Sequence, residues 1–165
     1  MESLVQSLID LFGGLSKEII VFIISMLPIL ELRGGLIAAA LLKVNFIPGY
    51  LYSIIGNVLP IPIVLLFLEK ILDFLKKFSK TKNLVIKLEN KILSKKDQIE
   101  KYGYLGLLLF VGIPLPGTGA WTGSGLAVLL HLNRKKSFVV ILLGVILASI
   151  KMSILSYGIL DAIIK

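Results

Sequence analysis

Two long apolar stretches of the chain are each interrupted near the middle by a segment rich in proline and glycine. The first stretch covers residues 19–42 and is interrupted at 28–35, and the second covers 104–132 and is interrupted at 112–123. A membrane core offers no water to the backbone groups that such breaks release. Breaks at that depth therefore occur where they are buried in protein or line a cavity. Matching interruptions in two halves of a chain are a sequence signature of a transporter's binding site.

The remaining apolar segments predict helices of two kinds. Residues 50–68 and 138–159 are long and apolar enough to span a membrane, the first with a kink near its two prolines. A turn is expected at 45–49. Residues 1–18 predict an amphipathic helix at the membrane interface, because its apolar residues share one helical face. These residues are Leu4, Val5, Leu8, Ile9, Phe12 and Leu15.

The segment 69–101 differs in composition from its surroundings. It holds ten lysines and five acidic residues, and an apolar residue recurs every seventh position from Ile71 to Ile99. The pattern predicts one or two amphipathic helices on the cytoplasmic face, with lysines directed toward lipid headgroups. The alternative is a solvated charged connector with a packing stripe.

An offset of 88 residues aligns the two halves of the chain. It places Pro28 on Pro116, Gly35 on Gly123, Asn45 on Asn133 and Gly56 on Gly144. With this offset, the break, the short helix, the asparagine turn and the spanning helix of the first half align with those of the second half. We therefore predict an internal repeat within a single membrane domain, formed by residues 19–68 and 102–165.

The positions of lysine and arginine predict the topology of the repeat. If each broken stretch crossed the membrane, the basic regions 69–101 and 133–136 would lie on opposite sides, against the cytoplasmic preference of these residues. If each stretch is a re-entrant hairpin, both regions are cytoplasmic. We therefore predict an all-α polytopic membrane protein with an inverted repeat of re-entrant hairpin plus transmembrane helix, together with amphipathic interfacial helices.

Composition supports this class and excludes others. The chain of 165 residues is 56% hydrophobic, has no cysteine and has one histidine, and its mean hydropathy is +0.94. These values are typical of an integral membrane protein and leave no thiolate or histidine cluster for a metal. The sequence has no nucleotide-binding fingerprint, so we predict no cofactor. It shows no nucleophile–base pair, so we predict no enzyme activity. The net charge of +8 is attributed to cytoplasmic loops and anionic lipids rather than to nucleic acid.

Charged residues inside apolar segments are the first candidates for a site. Glu31 and Arg33 lie in the first break, and Lys151 lies midway along the last span. Ionisable groups at membrane depth usually mark a pathway or a substrate contact. Glu31 is expected to bind and release a proton, while Arg33 and Lys151 suit an anion. The alternative is that the first two hold the hairpin through backbone contacts and that Lys151 extends toward the interface.

The second break offers backbone and hydroxyl groups instead of charge. Exposed amides in such a turn, together with the N-terminus of the next helix, form an anion site. The alternatives are close helix packing through small residues and an interfacial anchor role for the tryptophan. The candidate residues are Pro116, Gly117, Thr118, Gly119, Trp121 and Thr122.

The motifs at 27–35 (LPILELRGG) and 114–123 (PLPGTGAWTG) resemble those of the small multidrug export protein family, a bacterial and archaeal group distantly similar to the DedA and VTT-domain membrane proteins. The resemblance covers nearly the whole chain. It implies a prokaryotic plasma membrane protein with two opposed re-entrant hairpins. It also implies movement of lipids such as polyprenyl phosphates, and proton-linked transport.

The resemblance assigns Glu31 and Arg33 to the acidic and basic tip residues. The second tip departs from the DedA pattern, in which an arginine commonly follows Pro-Gly, whereas here Thr118 follows. Either Lys151 supplies that charge or the substrate differs.

The sequence therefore predicts a transporter or lipid translocase for an anionic amphiphile, coupled to protons through Glu31. One alternative is an exporter of cationic amphiphiles, and another is a membrane scaffold that docks through 69–101. The expected partners are membrane lipids, the substrate and protons, and the small bundle is compatible with a homodimer.

Overall fold

The computed structural model describes residues 2–115 and 117–164, with side chains as far as Ser156. The described residues form helices joined by short turns, with no strand among them, so the predicted all-α class is confirmed. The helices are α1 Glu2–Leu11, α2 Lys17–Met26, α3 Glu31–Leu41, α4 Phe46–Val58, α5 Pro60–Lys76, α6 Ser79–Leu93, α7 Asp97–Gly112, α8 Ala120–Leu129 and α9 Arg134–Ile164.

Two long apolar helices form the frame of the molecule. Helices α4 and α5 continue through Leu59, which has helical φ and ψ, and α9 is the second long helix. By length and composition, Phe46–Lys76 and Arg134–Ser156 could each cross a membrane. The Tyr50 and Ser149 hydroxyls lie 2.8 Å apart, and Arg134 lies 3.3 Å from Glu69. These pairs, one near each end, show that the two frame helices run antiparallel.

The outward faces of these helices carry large exposed apolar side chains. Continuous apolar surface of this extent is typical of contact with lipid or with a partner. On α4 and α5 the exposed residues include Leu51, Ile55, Ile63, Leu66 and Phe67, and on α9 they include Val139, Leu143, Ile146, Ile150 and Ile154.

Each predicted break is a tight connection between two short packed helices, but both breaks are shorter than expected. Residues 27–30 join α2 to α3, and residues 113–119 join α7 to α8. We call these connections the first and second tips. The expected breaks at 28–35 and 112–123 were therefore too long, because the glycines at their C-terminal ends belong to helices. A Cβ on Gly35 would lie only 1.7 Å from Ser25 Oγ, so this glycine permits close helix packing rather than a turn.

The 88-residue offset is reproduced in local structure. Helix α3 ends at Leu41 and α8 at Leu129, while α4 begins at Phe46 and α9 at Arg134. The turns between them also match. Lys43 and His131 both have a φ of 52°, and each turn closes with a bond of 2.9 Å, from Val44 N to Ala39 O and from Leu132 N to Ala127 O.

Two local predictions need correction. The expected turn at 45–49 lies earlier, because Asn45 caps α4 and the helix begins at Phe46. Pro48 is then in the first helical turn, where its missing N–H costs no intrahelical bond. The amphipathic helix expected over 1–18 ends at Leu11, and Lys17 already begins α2.

The basic segment 69–101 divides among three helices. Residues 69–76 continue α5, α6 packs against α5 and α8, and 97–102 open α7. Helix α7 reverses at Gly103, which has φ 56° and ψ −131°. A Cβ on Gly106 would lie 2.2 Å from Gln98 O, a proximity that a straight helix excludes because eight residues span about 12 Å. Residues 97–102, at the end of the basic segment, are therefore folded back against the rest of α7.

Close packing of α4 on α2 generates a stability prediction. A Cβ on Gly56 would lie 2.4 Å from the backbone oxygen of Phe22, and a backbone atom cannot move aside as a side chain can. Gly56→Ala should lower stability by about 1–3 kcal/mol, although alanine favours a helix elsewhere. The measurement is thermal unfolding in detergent.

The matched control is Gly125→Ala in α8, where the nearest neighbour is the flexible end of Ile92 at 3.3 Å. The control should unfold within a few degrees of the parent protein. Equal melting temperatures for the two variants would contradict the close contact at Gly56.

Candidate functional site

The Glu31 carboxylate lies at the N-terminus of α8. Its Oε1 accepts a hydrogen bond of 3.1 Å from the backbone N–H of Trp121, and the Ala120 N–H also faces it. Glu31 is only 4% exposed. The first N–H groups of a helix have no intrahelical partner and attract negative charge. A side chain from the first hairpin thus occupies the anion site expected in the second.

Gly119 makes this contact sterically feasible. A Cβ at this position would lie 1.8 Å from Glu31 Oε2, so the carboxylate fills the volume that any other side chain would need. The two residues are equivalent under the 88-residue offset, and both have positive φ, 50° for Glu31 and 131° for Gly119. Positive φ is uncommon for a residue other than glycine and often marks a functional position.

Arg33 also bridges the two hairpins. Its Nη1 donates to the carbonyl of Leu115 at 2.7 Å, and its Nη2 donates to the carbonyl of Thr118 at 3.1 Å. The planar fork of the guanidinium therefore holds two carbonyls of the second tip. The charge of Arg33 is directed at the protein's own backbone in this conformation.

Trp121 makes the reciprocal contact. Its indole Nε1 donates to the carbonyl of Met26, at the end of α2, at 3.1 Å. Trp121 is equivalent to Arg33 under the 88-residue offset. At this pair of equivalent positions, each side chain therefore donates to backbone carbonyl groups in the other half of the chain, through a guanidinium in one case and an indole in the other.

The second tip is further fixed by its own side chains and by the α6–α7 turn. Thr118 Oγ1 bonds to the carbonyls of Ile113 at 2.9 Å and Leu115 at 2.8 Å. Lys95 Nζ donates to the carbonyl of Gly117, a glycine with φ 78°. Pro116, a predicted site residue, lies outside the described residues.

A cavity of about 20 Å³ lies where Glu31, Arg33 and the second tip meet. That volume suits about one water molecule. Its lining includes three pairs of residues that are equivalent under the 88-residue offset. These pairs are Glu31 with Gly119, Leu32 with Ala120, and Asn57 with Val145.

Two predicted site residues lie away from this cavity. Lys151 is exposed on α9, and the cavity is lined on that helix by Val145 and Ala148 instead. Thr122 is half-buried in the first turn of α8 and is not among the lining residues either. The cavity therefore brings together Glu31, Arg33, Thr118 and Gly119, with Gly117 and Trp121 adjacent in sequence.

A groove lies outside each tip. The groove beside the second tip has a volume of about 330 Å³ and is lined by Lys95, Asp97, Thr118 and apolar residues of α7. The groove beside the first tip has about 430 Å³ and is lined almost entirely by apolar residues of α1 and the tip. Thr118 lines both the groove beside the second tip and the small cavity, so it lies in the wall between them.

The family model described as "Putative small multi-drug export protein" matches residues 31–150. The chain belongs to this family. The match begins at Glu31, includes Phe46–Lys76, the second tip and most of Arg134–Ser156, and ends one residue before Lys151. No curated protein and no solved structure matches the chain. Membership in an export family, together with two apolar frame helices, indicates a membrane protein.

Two residues of this family member that contact or line the site were not selected from the sequence. For Asn57, a lone amide in an apolar run just before Pro60 was a usable signal. Lys95 was one lysine among ten in the basic segment, and no local pattern separates it from the others. Its contact with Gly117 depends on the chain reversal at Gly103.

The fit of Glu31 against Gly119 generates a prediction for this export-family protein. Gly119→Ala should displace the carboxylate from α8 and change the fluorescence of Trp121, the single tryptophan of the chain, because Trp121 N–H bonds to Glu31. The loss of stability should be about 2–4 kcal/mol, from strain and overpacking together. Thermal unfolding and Trp121 emission are the measurements.

The control is Gly117→Ala in the same tip. Gly117 also has a positive φ, but its new Cβ meets the flexible end of Lys95. It should leave Trp121 emission close to that of the parent. Combining Gly119→Ala with Glu31→Ala should recover part of the lost stability, and equal loss in the single and double variants would contradict the steric account.

Proposed function

We propose that the protein is a proton-coupled transporter that moves an anionic amphiphile, with a polyprenyl phosphate as the first expected substrate, across a prokaryotic plasma membrane. The observation that carries the proposal is the Glu31 carboxylate on the N-terminus of α8. A helix N-terminus suits an anion, and the protein's own carboxylate occupies this one. A proton that neutralises Glu31 removes the intramolecular anion and makes the site available to a substrate anion.

The coupling follows from the strength of the bonds involved. Hydrogen bonds to an ionised carboxylate are roughly twice as strong as those to a neutral acceptor. Protonation of Glu31 therefore weakens its contact with the Trp121 N–H and lets the side chain leave α8. Proton and anion binding are then coupled. Protonation frees the α8 N-terminus for the substrate anion, and an anion bound there favours the protonated form of Glu31.

Arg33 supplies the positive charge beside the released site. Its fork holds the carbonyls of Leu115 and Thr118, and a phosphate oxygen is a stronger acceptor than a carbonyl because it is charged. An entering phosphate can therefore draw Arg33 away from the second tip. This exchange would loosen one hairpin from the other during transport.

The groove beside the second tip is the proposed approach for the headgroup. Its volume of about 330 Å³ is in the range of ligand pockets, whereas the inner cavity of about 20 Å³ accepts no phosphate until Glu31 moves. Lys95 in the wall offers a first counter-charge, and Leu109, Phe110 and Ile113 offer apolar contact for the lipid chain.

The proposed topology is an inverted repeat with each hairpin re-entrant from its own side. Three observations support it: the equivalent helices α4–α5 and α9 run antiparallel, equivalent residues line the cavity, and the ends of α3 and α8 and the starts of α4 and α9 are each 88 residues apart. The contact between Glu69 and Arg134 also brings the two basic regions to one end of the frame. That end is assigned to the cytoplasm because lysine and arginine prefer it.

Export of cationic amphiphiles is the second candidate. The printed family description favours it, and Glu31 would then bind either a drug cation or a proton. The nearby Arg33 charge, which acts on Glu31, argues against a cation in the same cavity. The two candidates predict opposite effects of removing the Glu31 charge.

The substrate prediction is tested with purified protein in proteoliposomes and a fluorescent lipid phosphate. Glu31→Gln mimics the protonated side chain and should bind the anion about tenfold more tightly above neutral pH, with little dependence on pH. Arg33→Gln should weaken binding by about tenfold or more. An exporter of cations would instead lose substrate binding in Glu31→Gln.

Arg134→Gln is the matched control, because it removes an arginine at the far end of the frame. It should leave anion binding unchanged. A neutral lipid alcohol of the same chain length controls for apolar partition. Failure of the folded protein to move any lipid phosphate or amphiphilic cation would remove the transport proposal and leave the scaffold alternative.

The topology prediction is tested by labelling single cysteines, which the cysteine-free sequence makes straightforward. Ile29 and Leu115 are exposed at the two tips, at 76% and 54%. Ile29→Cys should react with an impermeant reagent from outside, and Leu115→Cys from the cytoplasmic side. Lys70→Cys and Lys135→Cys should both react from the cytoplasm, and labelling of these two from opposite sides would contradict the re-entrant arrangement.

A further inference from the structure

Asn57 is a buried amide whose carbonyl oxygen lacks a partner. The residue lies in α4, is 2% exposed and lines the cavity beside Glu31. Its Oδ1 has no hydrogen-bond partner among the described residues. Buried side-chain acceptors are nearly always paired, and an exception calls for an explanation.

The hydrogen bonds that Arg33 and Trp121 donate beside the cavity go to acceptors other than Asn57. Arg33 donates to the carbonyls of Leu115 and Thr118, and the Trp121 N–H donates to Glu31. Helices α7 and α9 contribute apolar side chains to the lining, and Arg33 is the charged residue that faces Glu31 there. An ionised carboxylate has no proton to offer, whereas a protonated one carries an O–H donor.

We infer that Asn57 Oδ1 is the acceptor for the protonated form of Glu31. Glu31 then has two positions: ionised, it accepts from the N-terminus of α8, and protonated, it donates across the cavity to Asn57. The proton enters from water on one side, stays on a Glu31 oxygen and leaves to the other side, with no change at Asn57. Asn57 is thus a positioning residue for proton binding, and this role rests on the proposed function.

The second repeat has no such acceptor at the equivalent position, which is Val145. Acid and acceptor therefore both come from the first repeat, while the α8 N–H groups come from the second. The two positions of Glu31 contact different halves of the molecule, so protonation changes which helices the side chain connects.

Infrared titration in detergent measures this inference without any substrate. The carboxylic acid C=O band that disappears in Glu31→Gln reports protonated Glu31. Asn57→Leu, which keeps the size but removes the acceptor, should lower the pH at which the band is half-developed by about one unit. Asn57→Asp adds a like charge beside Glu31 and should raise the same midpoint.

Ser53→Ala is the matched control on the same helix, because the buried Ser53 hydroxyl already donates to the Gly49 carbonyl. The pH at which the Glu31 band is half-developed should be the same in Ser53→Ala as in the parent protein. Circular dichroism identifies variants that fail to fold, and either Asn57 variant suffices for the comparison. An unchanged midpoint in folded Asn57→Leu or Asn57→Asp would overturn the inference.

The outcome is independent of the transport assay. A shifted midpoint without anion transport would keep the role of Asn57 and remove the proposed substrate. Anion transport with an unshifted midpoint would keep the proposed substrate and remove the role of Asn57.

Discussion

The arrangement of the two hairpins depends on a single close fit, that of the Glu31 carboxylate in the space left by the missing Cβ of Gly119. The carboxylate satisfies an N–H group at the start of α8 that would otherwise be buried without a partner. It also sets the distance at which Arg33 reaches the carbonyls of the second tip and at which Trp121 reaches Met26. A buried charge is tolerated only when it is paired and hydrogen-bonded. The contact therefore holds the two tips together. Protonation of Glu31 would weaken its hydrogen bond to Trp121 and so allow the tips to separate.

The two halves of the chain match at several backbone positions and differ in their chemistry. The ends of α3 and α8, the turns that follow them and two pairs of positive φ values recur at an offset of 88. Among the residues that line the cavity, however, Glu31 is equivalent to Gly119 and Asn57 to Val145. This asymmetry is a steric necessity at one pair, because a second glutamate at 119 would occupy the volume of the first. Glu31 is the single acid among the described residues that line the cavity.

Sequence alone predicted the elements that depend on periodicity and missed those that depend on contacts. The apolar stretches predicted both frame helices, and the offset of 88 residues predicted the matching ends of α3 and α8. The inverted repeat itself stays a prediction. The break lengths were overestimated, because glycine permits both a turn and close helix packing, and only the neighbours of Gly35 distinguish these. Glu31 and Arg33 were identified by their charge, but their partners lie more than 80 positions away. The reach of Lys95 to the second tip likewise requires the reversal at Gly103.

Proton uptake on anion binding is the most direct test of the claim that Glu31 and a substrate anion compete for one site. Purified protein in weakly buffered detergent, above neutral pH and with a pH-indicating dye, is mixed with a lipid phosphodiester, whose own charge is constant in this range. The parent protein should take up close to one proton for each anion bound, and Glu31→Gln should take up none. Stoichiometric anion binding by the parent without proton uptake would contradict the account.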